Sequence, residues 1–137
     1  MANNNTVLLY PVAYLDNNDF QEEKLPNGKI EHKLVLPNNI HNDKDVVVML
    51  QTSWCPHCTS AKPAFQKFAK QYEKEIFCAT IQADGDTDEE KKLGKRIEKI
   101  VPGFRGFPEY CLFVKGKRVD KQIKHRTVEG LIEFANL

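Results

Sequence analysis

No apolar run in this 137-residue sequence approaches the ~20 residues that a membrane-spanning helix needs. Neither sign of charge dominates: 20 Lys and Arg stand against 19 Asp and Glu, a formal net charge of +1. That balance gives no electrostatic footprint for nucleic acid and no long basic face stands out, so neither a membrane nor a nucleic acid is an expected partner. The short basic run KQIKHR, Lys121 to Arg126, reads as a solvated strand edge. Cysteine is sparse. Four residues, Cys55, Cys58, Cys78 and Cys111, are too few for a small fold stapled by disulfides. Internal repeats are absent. The N-terminus, MANNNTVLLYPVAYLDN, lacks a basic leader and its short apolar stretch is interrupted by Pro11, which makes a poor signal peptide. For a full-length chain this predicts a reducing setting, the cytoplasm or a virion; for a trimmed chain it leaves an oxidising compartment open. The clustered asparagines (residues 3–5, 17–18 and 38–39) and many lysines suit an AT-rich genome, such as a protist's or a large DNA virus's.

What is present suits one domain with one core, and a monomer is expected. Residues 1–44 read differently from residues 45–137. The first part is rich in Asn and broken by Pro11, Pro26 and Pro37. Within it, Thr6 to Leu15 reads as a strand. Phe20 to Leu36 reads as a β-hairpin, because Pro26-Asn27-Gly28 offers turn chemistry and Ile30 to Leu36 nearly alternates apolar and polar. From Asp45 the pattern sharpens. DVVVMLQ, Asp45 to Gln51, is the β-branched apolar run of a strand buried on both faces. Phe65, Phe68, Ala69 and Tyr72 then recur at helical spacing, and Glu75 to Ala83 reads as a second buried strand. Thr87 and Glu90 form a capping box before a helix whose inner face is Leu93, Ile97 and Ile100. EYCLFV, the turn KGK and RVDKQI read as an antiparallel hairpin, and Thr127 caps a last helix. The order β-α-β-α-β-β-α, with its first two strands parallel, describes an α/β domain: a mixed sheet with helices on both faces.

The stretch SWCPHCTSAKP, Ser53 to Pro63, carries the chemistry. A zinc site wants four ligands, usually as two close pairs, but Cys78 and Cys111 each stand alone in an expected strand. His32 and His41 have no paired spacing either, so no metal is expected. Covalent haem attachment needs His directly after the second Cys, where Thr59 stands. No cofactor is expected. A redox pair fits the position better. With Cys55 where a buried strand gives way to a helix, unpaired backbone N–H groups and the positive end of the helix dipole face its sulfur. Both favour thiolate, the attacking species, so Cys55 is the candidate nucleophile. Cys58, one turn on, is the candidate resolving thiol. Pro56 suits the first helical turn, where its missing N–H costs nothing. His57 is placed to put an N–H or a positive charge near the Cys55 sulfur, and stabilising the dithiol makes the disulfide a stronger oxidant. Cys78 and Cys111 read as small apolar core residues.

With these residues in place, the chain from about Asp45 to Leu137 resembles the thioredoxin superfamily, most closely the catalytic a-type domains of protein disulfide isomerases. Trp54 precedes the first cysteine as in the family. Pro63, eight residues after Cys55, matches the proline that kinks the active-site helix. FRGFPEYCLF, Phe104 to Phe113, resembles the family's Arg-Gly-Phe-Pro-Thr segment, and HRTVEGLIEF resembles the Arg-Thr approach to the last helix. The resemblance implies a thioredoxin fold preceded by an atypical β-rich extension. It implies a cis peptide bond at Phe107–Pro108, with Trp54, Phe107 and Pro108 contacting substrate. It also implies thiol-disulfide exchange with protein substrates and a separate redox partner. The Pro-His pair between the cysteines is that of strongly oxidising bacterial dithiol oxidases, which implies a disulfide more oxidising than thioredoxin's.

Four departures accompany the resemblance. The family's buried acid, six residues before the first cysteine, and its lysine partner are replaced by Met49 and Thr80. Glu109 follows Pro108 where the family has Thr. Lys124 stands where the family tends to have Gly beside the substrate groove. The family's first helix is not evident in residues 16–44. The loss of the acid keeps a second reading open: a thioredoxin-fold binding adaptor with weak or no turnover.

Overall fold

The structure is a computed structural model that describes residues 7–137. A central five-stranded sheet is built from β1 (Ala13–Tyr14), β4 (Asp45–Gln51), β5 (Ile76–Gln82), β6 (Glu109–Val114) and β7 (Lys117–Val119), in the order β1-β5-β4-β6-β7. β5 runs parallel to β4, and β6 antiparallel to it. Strands β2 (Phe20–Lys24) and β3 (Ile30–Leu34) form a separate antiparallel hairpin. The helices are α1 (Ile40–Asp43), α2 (Pro56–Gln71), α3 (Asp88–Gly94), α4 (Ile97–Ile100) and α5 (Val128–Phe134). No helix among the described residues is long and apolar enough to cross a membrane.

The run DVVVMLQ is apolar throughout because β4 is covered on both sides. Val47 and Met49 point into one core with Phe65 and Phe68 of α2, and Leu131 and Phe134 of α5. Val46, Val48 and Leu50 point the other way, into a second core with Leu93, Ile97 and Ile100. Each fully buried Phe of α2 contributes about 1.5–3 kcal/mol by leaving water.

The hairpin covers part of that second face. Phe20, Leu34 and Leu36 join Val46, Val48 and Phe113, and Phe20 meets Phe113 edge-on at 5.9 Å between ring centroids. Its turn closes by Leu25 N–H to Lys29 O (2.8 Å) and Gly28 N–H to Leu25 O (2.9 Å), and Gly28 takes φ +85°, which a side chain would resist. Between residues 16 and 44 the only helical pieces are two 3₁₀ turns and the single turn α1. The inward positions of β3 are His32 and Leu34, and Ile30 at the strand's start is exposed.

Three expected elements are shorter than the sequence pattern suggested. Thr6 lies outside the described residues. Of the strand expected over Thr6 to Leu15, only Ala13–Tyr14 pairs, parallel to β5. Pro11 has no N–H to give to a ladder, and Val12 N–H turns back to Leu9 O at 3.0 Å; the Tyr10–Pro11 bond is cis. The helix expected after Thr87 divides into α3 and α4 around Gly94. A Cβ at that position would lie 2.6 Å from the Ala83 carbonyl oxygen, so the glycine lets α3 approach β5 closely. The last strand stops at Val119. Lys121 turns away to donate to the carbonyl oxygens of Phe134 (2.8 Å) and Glu133 (3.3 Å), where a cation suits a helix C-terminus. Lys121 to Arg126 is therefore a loop leading to α5, not a strand edge.

Candidate functional site

Buried strand β4 ends at Gln51, and α2 begins five residues later, at Pro56. The connection is held from the turn that follows β5: the Asp84 carboxylate accepts from the Ser53 N–H (3.0 and 3.1 Å) and from its hydroxyl. These bonds hold the Asp84 carboxyl below its ordinary range against the opposing effect of burial. Cys55 is the N-cap of α2, with Pro56 in the first turn. Its sulfur accepts from the Cys58 N–H at 3.2 Å, one of the donors that a helix start leaves unpaired. The Cys55 carbonyl accepts from the Thr59 N–H (3.0 Å) and hydroxyl (3.2 Å). His57 is exposed at the same end of the helix, and Pro63 lies within it.

The Phe107–Pro108 bond is cis. It turns the Phe107 carbonyl toward the cysteines, where the Cys55 thiol donates to it at 3.7 Å. Trp54, 70% exposed, meets Phe107 edge-on at 6.5 Å, and Phe107 packs on Phe104 at 5.0 Å. Beside Pro108 opens a groove of ≈ 710 Å³, lined by Arg105, Phe107, Glu109, Lys124, His125 and Arg126 among others. Lys124 does border this groove, but its amine is drawn away to Glu133 at 3.0 Å.

The two sulfurs differ in their surroundings. Cys55 retains 4% exposure and Cys58 none. Burial, and then the Cys55 thiol, push the Cys58 thiol up to about 12; the Thr52 backbone and the Lys62 charge act in the opposite direction. Cys78 and Cys111 lie in the two cores on either side of the sheet, each pushed up to about 12 chiefly by burial. Among the described residues no group of three or more His, Cys, Asp or Glu side chains is disposed to hold a metal ion.

The sequence-predicted residues Trp54, Cys55, Pro56, His57, Cys58, Phe107 and Pro108 thus gather at one end of the sheet. Two features escaped the sequence reading. One is the Asp84 clamp on Ser53, made across a tertiary contact that no local pattern announces. The other is Lys62, buried at 2% exposure on the inner face of α2. Helical spacing places it with Cys58, Phe65 and Ala69, and that phase was the available signal.

Residues 31–136 match the thioredoxin family profile. The chain is 40% identical over 121 residues to putative thioredoxin-like protein 453L of Invertebrate iridescent virus 6, covering 80% of each chain. It is 33% identical to a thioredoxin domain-containing protein of Theileria parva, over 88% of this chain and 51% of that one. With protein disulfide-isomerase erp38 of Neurospora crassa it shares 31% identity, over 71% of this chain and 25% of the relative. The chain therefore spans most of the viral relative, about half of the Theileria protein and a quarter of the Neurospora one. Among solved structures, spinach chloroplast thioredoxin f superposes with a TM-score of 0.58 at 22% identity, covering 91% of this chain and 90% of that one; it shares the fold. A profile match over that length, on a sheet and cysteine-bearing helix arranged as described, makes this chain a member of the thioredoxin family.

Proposed function

We propose that the chain exchanges disulfides with protein substrates through Cys55 and Cys58, and that its disulfide is more oxidising than thioredoxin's. The observation that carries this reading is the position of Cys55. It caps α2, accepts from the Cys58 N–H at 3.2 Å, and faces the carbonyl that precedes the cis proline. The backbone N–H aimed at the sulfur, at a helix start, favours thiolate, which is the nucleophile in exchange. Cys55 attacks a substrate disulfide or receives a substrate thiolate. Cys58, shielded one turn inward, closes or opens the internal disulfide. His57, exposed beside the cysteines, adds positive character at the helix start when protonated, and this stabilises the reduced form. Trp54, Phe107 and Pro108 border the approach to Cys55 and contact the bound peptide. A separate thiol or disulfide partner restores the starting redox state.

A second reading, a binding adaptor with little turnover, is favoured by one observation: Met49 and Thr80 leave the sheet beside the cysteines without a charged pair. Trapping separates the two. With insulin as the substrate disulfide, Cys58→Ser is expected to accumulate a reductant-sensitive adduct through Cys55, and Cys55→Ser none. Parent protein that neither reduces insulin nor oxidises a reduced dithiol peptide, while still binding them, would favour the adaptor.

A further inference from the structure

We propose that Lys62 is the proton acceptor for Cys58 when the internal disulfide closes, and the donor when it opens. The inference rests on the disulfide-exchange reading. Lys62 follows Cys58 by one helical turn on the same face of α2 and is 2% exposed, and lysines are rarely that buried. Burial lowers its proton affinity below that of an ordinary lysine, opposed in turn by the negative charges of Cys58, Asp84 and Cys55.

The alternatives around Cys58 are poor bases. Met49 is fully buried and apolar. The Thr80 hydroxyl already donates to the Met49 carbonyl (2.7 Å) and accepts from Gln51 Nε2 (3.3 Å). Asp84 is committed to Ser53 and held below its ordinary range. Tyr110 on β6, which feels both Cys58 and Arg126, is pushed up by burial and stays a phenol. A cation on α2 thus stands near the cysteines, while the family's acid and cation on the strands are gone together.

Cys55 carries the substrate sulfur in a mixed disulfide. The Cys58 thiol gives its proton to the neutral Lys62 amine, and the resulting thiolate attacks the Cys55 sulfur. The Cys55–Cys58 bond forms and the Cys55–substrate bond breaks. The electron pair leaves on the substrate sulfur, so substrate is reduced and the cysteine pair oxidised. The ammonium then releases its proton to solvent, from which the substrate thiolate takes one. A thiol near 12 leaves only about one part in 10⁵ as thiolate at pH 7. In the mixed disulfide the Cys55 thiol is gone, and with it the second cause of that elevation, which brings Cys58 closer to Lys62.

Trp54 is the single tryptophan and adjoins Cys55, so its fluorescence follows both steps. Reduced protein is mixed with glutathione disulfide. The phase that scales with glutathione disulfide reports attack by Cys55; the phase that does not reports closure by Cys58. In Lys62→Met the second phase is expected to slow about 100-fold at pH 7 and lose its dependence on the Lys62 titration, with the first phase unchanged. Lys62→Arg, charged but unable to release a proton, is expected to be as slow as Lys62→Met. Adding Met49→Glu to Lys62→Met is expected to recover at least about tenfold of the loss. A second phase in Lys62→Met as fast as the parent's overturns the inference, as does full speed in Lys62→Arg. Were Lys62→Met not to fold, the labelled Lys62 amine of the parent is titrated by NMR. A titration below about 10.4 that moves in Cys58→Ser supports the inference, and an ordinary one that does not move overturns it. Absence of the first phase in the parent would instead count against disulfide exchange itself.

Discussion

Met49 and Thr80 are register partners across the parallel pair β4–β5, and the Thr80 hydroxyl donates to the Met49 carbonyl at 2.7 Å. The same hydroxyl accepts from Gln51 Nε2 at 3.3 Å, so a single Thr serves two buried polar groups. Charge has left these strand positions as a pair, which avoids an unpartnered buried ion. Thr80→Val keeps the shape, removes a hydrogen bond and leaves the buried Gln51 amide unpaired. The expected cost is about 1–3 kcal/mol in urea unfolding, with Cys55 reactivity unchanged. A stability equal to the parent's would mean that this hydroxyl contributes nothing net.

The four cysteines are expected to separate by accessibility and thiolate supply. Native protein treated with iodoacetamide at pH 7.5 is predicted to be alkylated at Cys55 first. Cys58, Cys78 and Cys111, each raised to about 12, are predicted to react only on unfolding. Peptide mapping of the modified protein checks this. Preferential labelling of Cys58 would reverse the assigned roles.

His32 ties the hairpin to the helical side of the domain. Arg96 donates to His32 Nδ1 at 3.0 Å and to Asn17 Oδ1 at 2.7 Å, which holds Nδ1 as an acceptor. Burial, then the Arg96 charge, lowers the proton affinity of the ring in the folded state. The unfolded chain therefore binds this proton first, and folding loses stability as pH falls below about 6.5 and on through the lowered folded value. Urea midpoints at pH 7.5 and 5.5 are expected to differ less in His32→Gln than in the parent. An equal difference in the two proteins would show that His32 does not carry the effect.

Much of this architecture was legible wherever local chemistry and tertiary demand agree. The β4 run had to be buried on both faces, and Pro26-Asn27-Gly28 had to turn. Thr87 and Glu90 had to cap α3, where the Glu90 N–H does meet the Thr87 hydroxyl at 3.1 Å. The cysteine motif announced its place at the strand-to-helix junction, and the resemblance pointed to the proline opposite. What stayed hidden depended on distant partners. Lys121 leaves the expected strand because the C-terminus of α5 offers it carbonyls. Position 94 is a glycine because the Ala83 carbonyl lies against it. Lys62 reads as surface charge until its helical phase is compared with that of Cys58, Phe65 and Ala69. His32 takes an inward position in β3 because Arg96, 64 residues away in sequence, supplies the hydrogen bond.

The central claim is that Cys55 and Cys58 form a reversible, oxidising disulfide, and equilibration against glutathione redox buffers tests it most directly. Oxidised and reduced forms are quantified by acid quench, alkylation and mass spectrometry. The account predicts a single two-electron transition that links Cys55 to Cys58, with a midpoint clearly above the about −270 mV of thioredoxin. A transition at or below that potential, or no Cys55–Cys58 bond at any glutathione ratio, would contradict it.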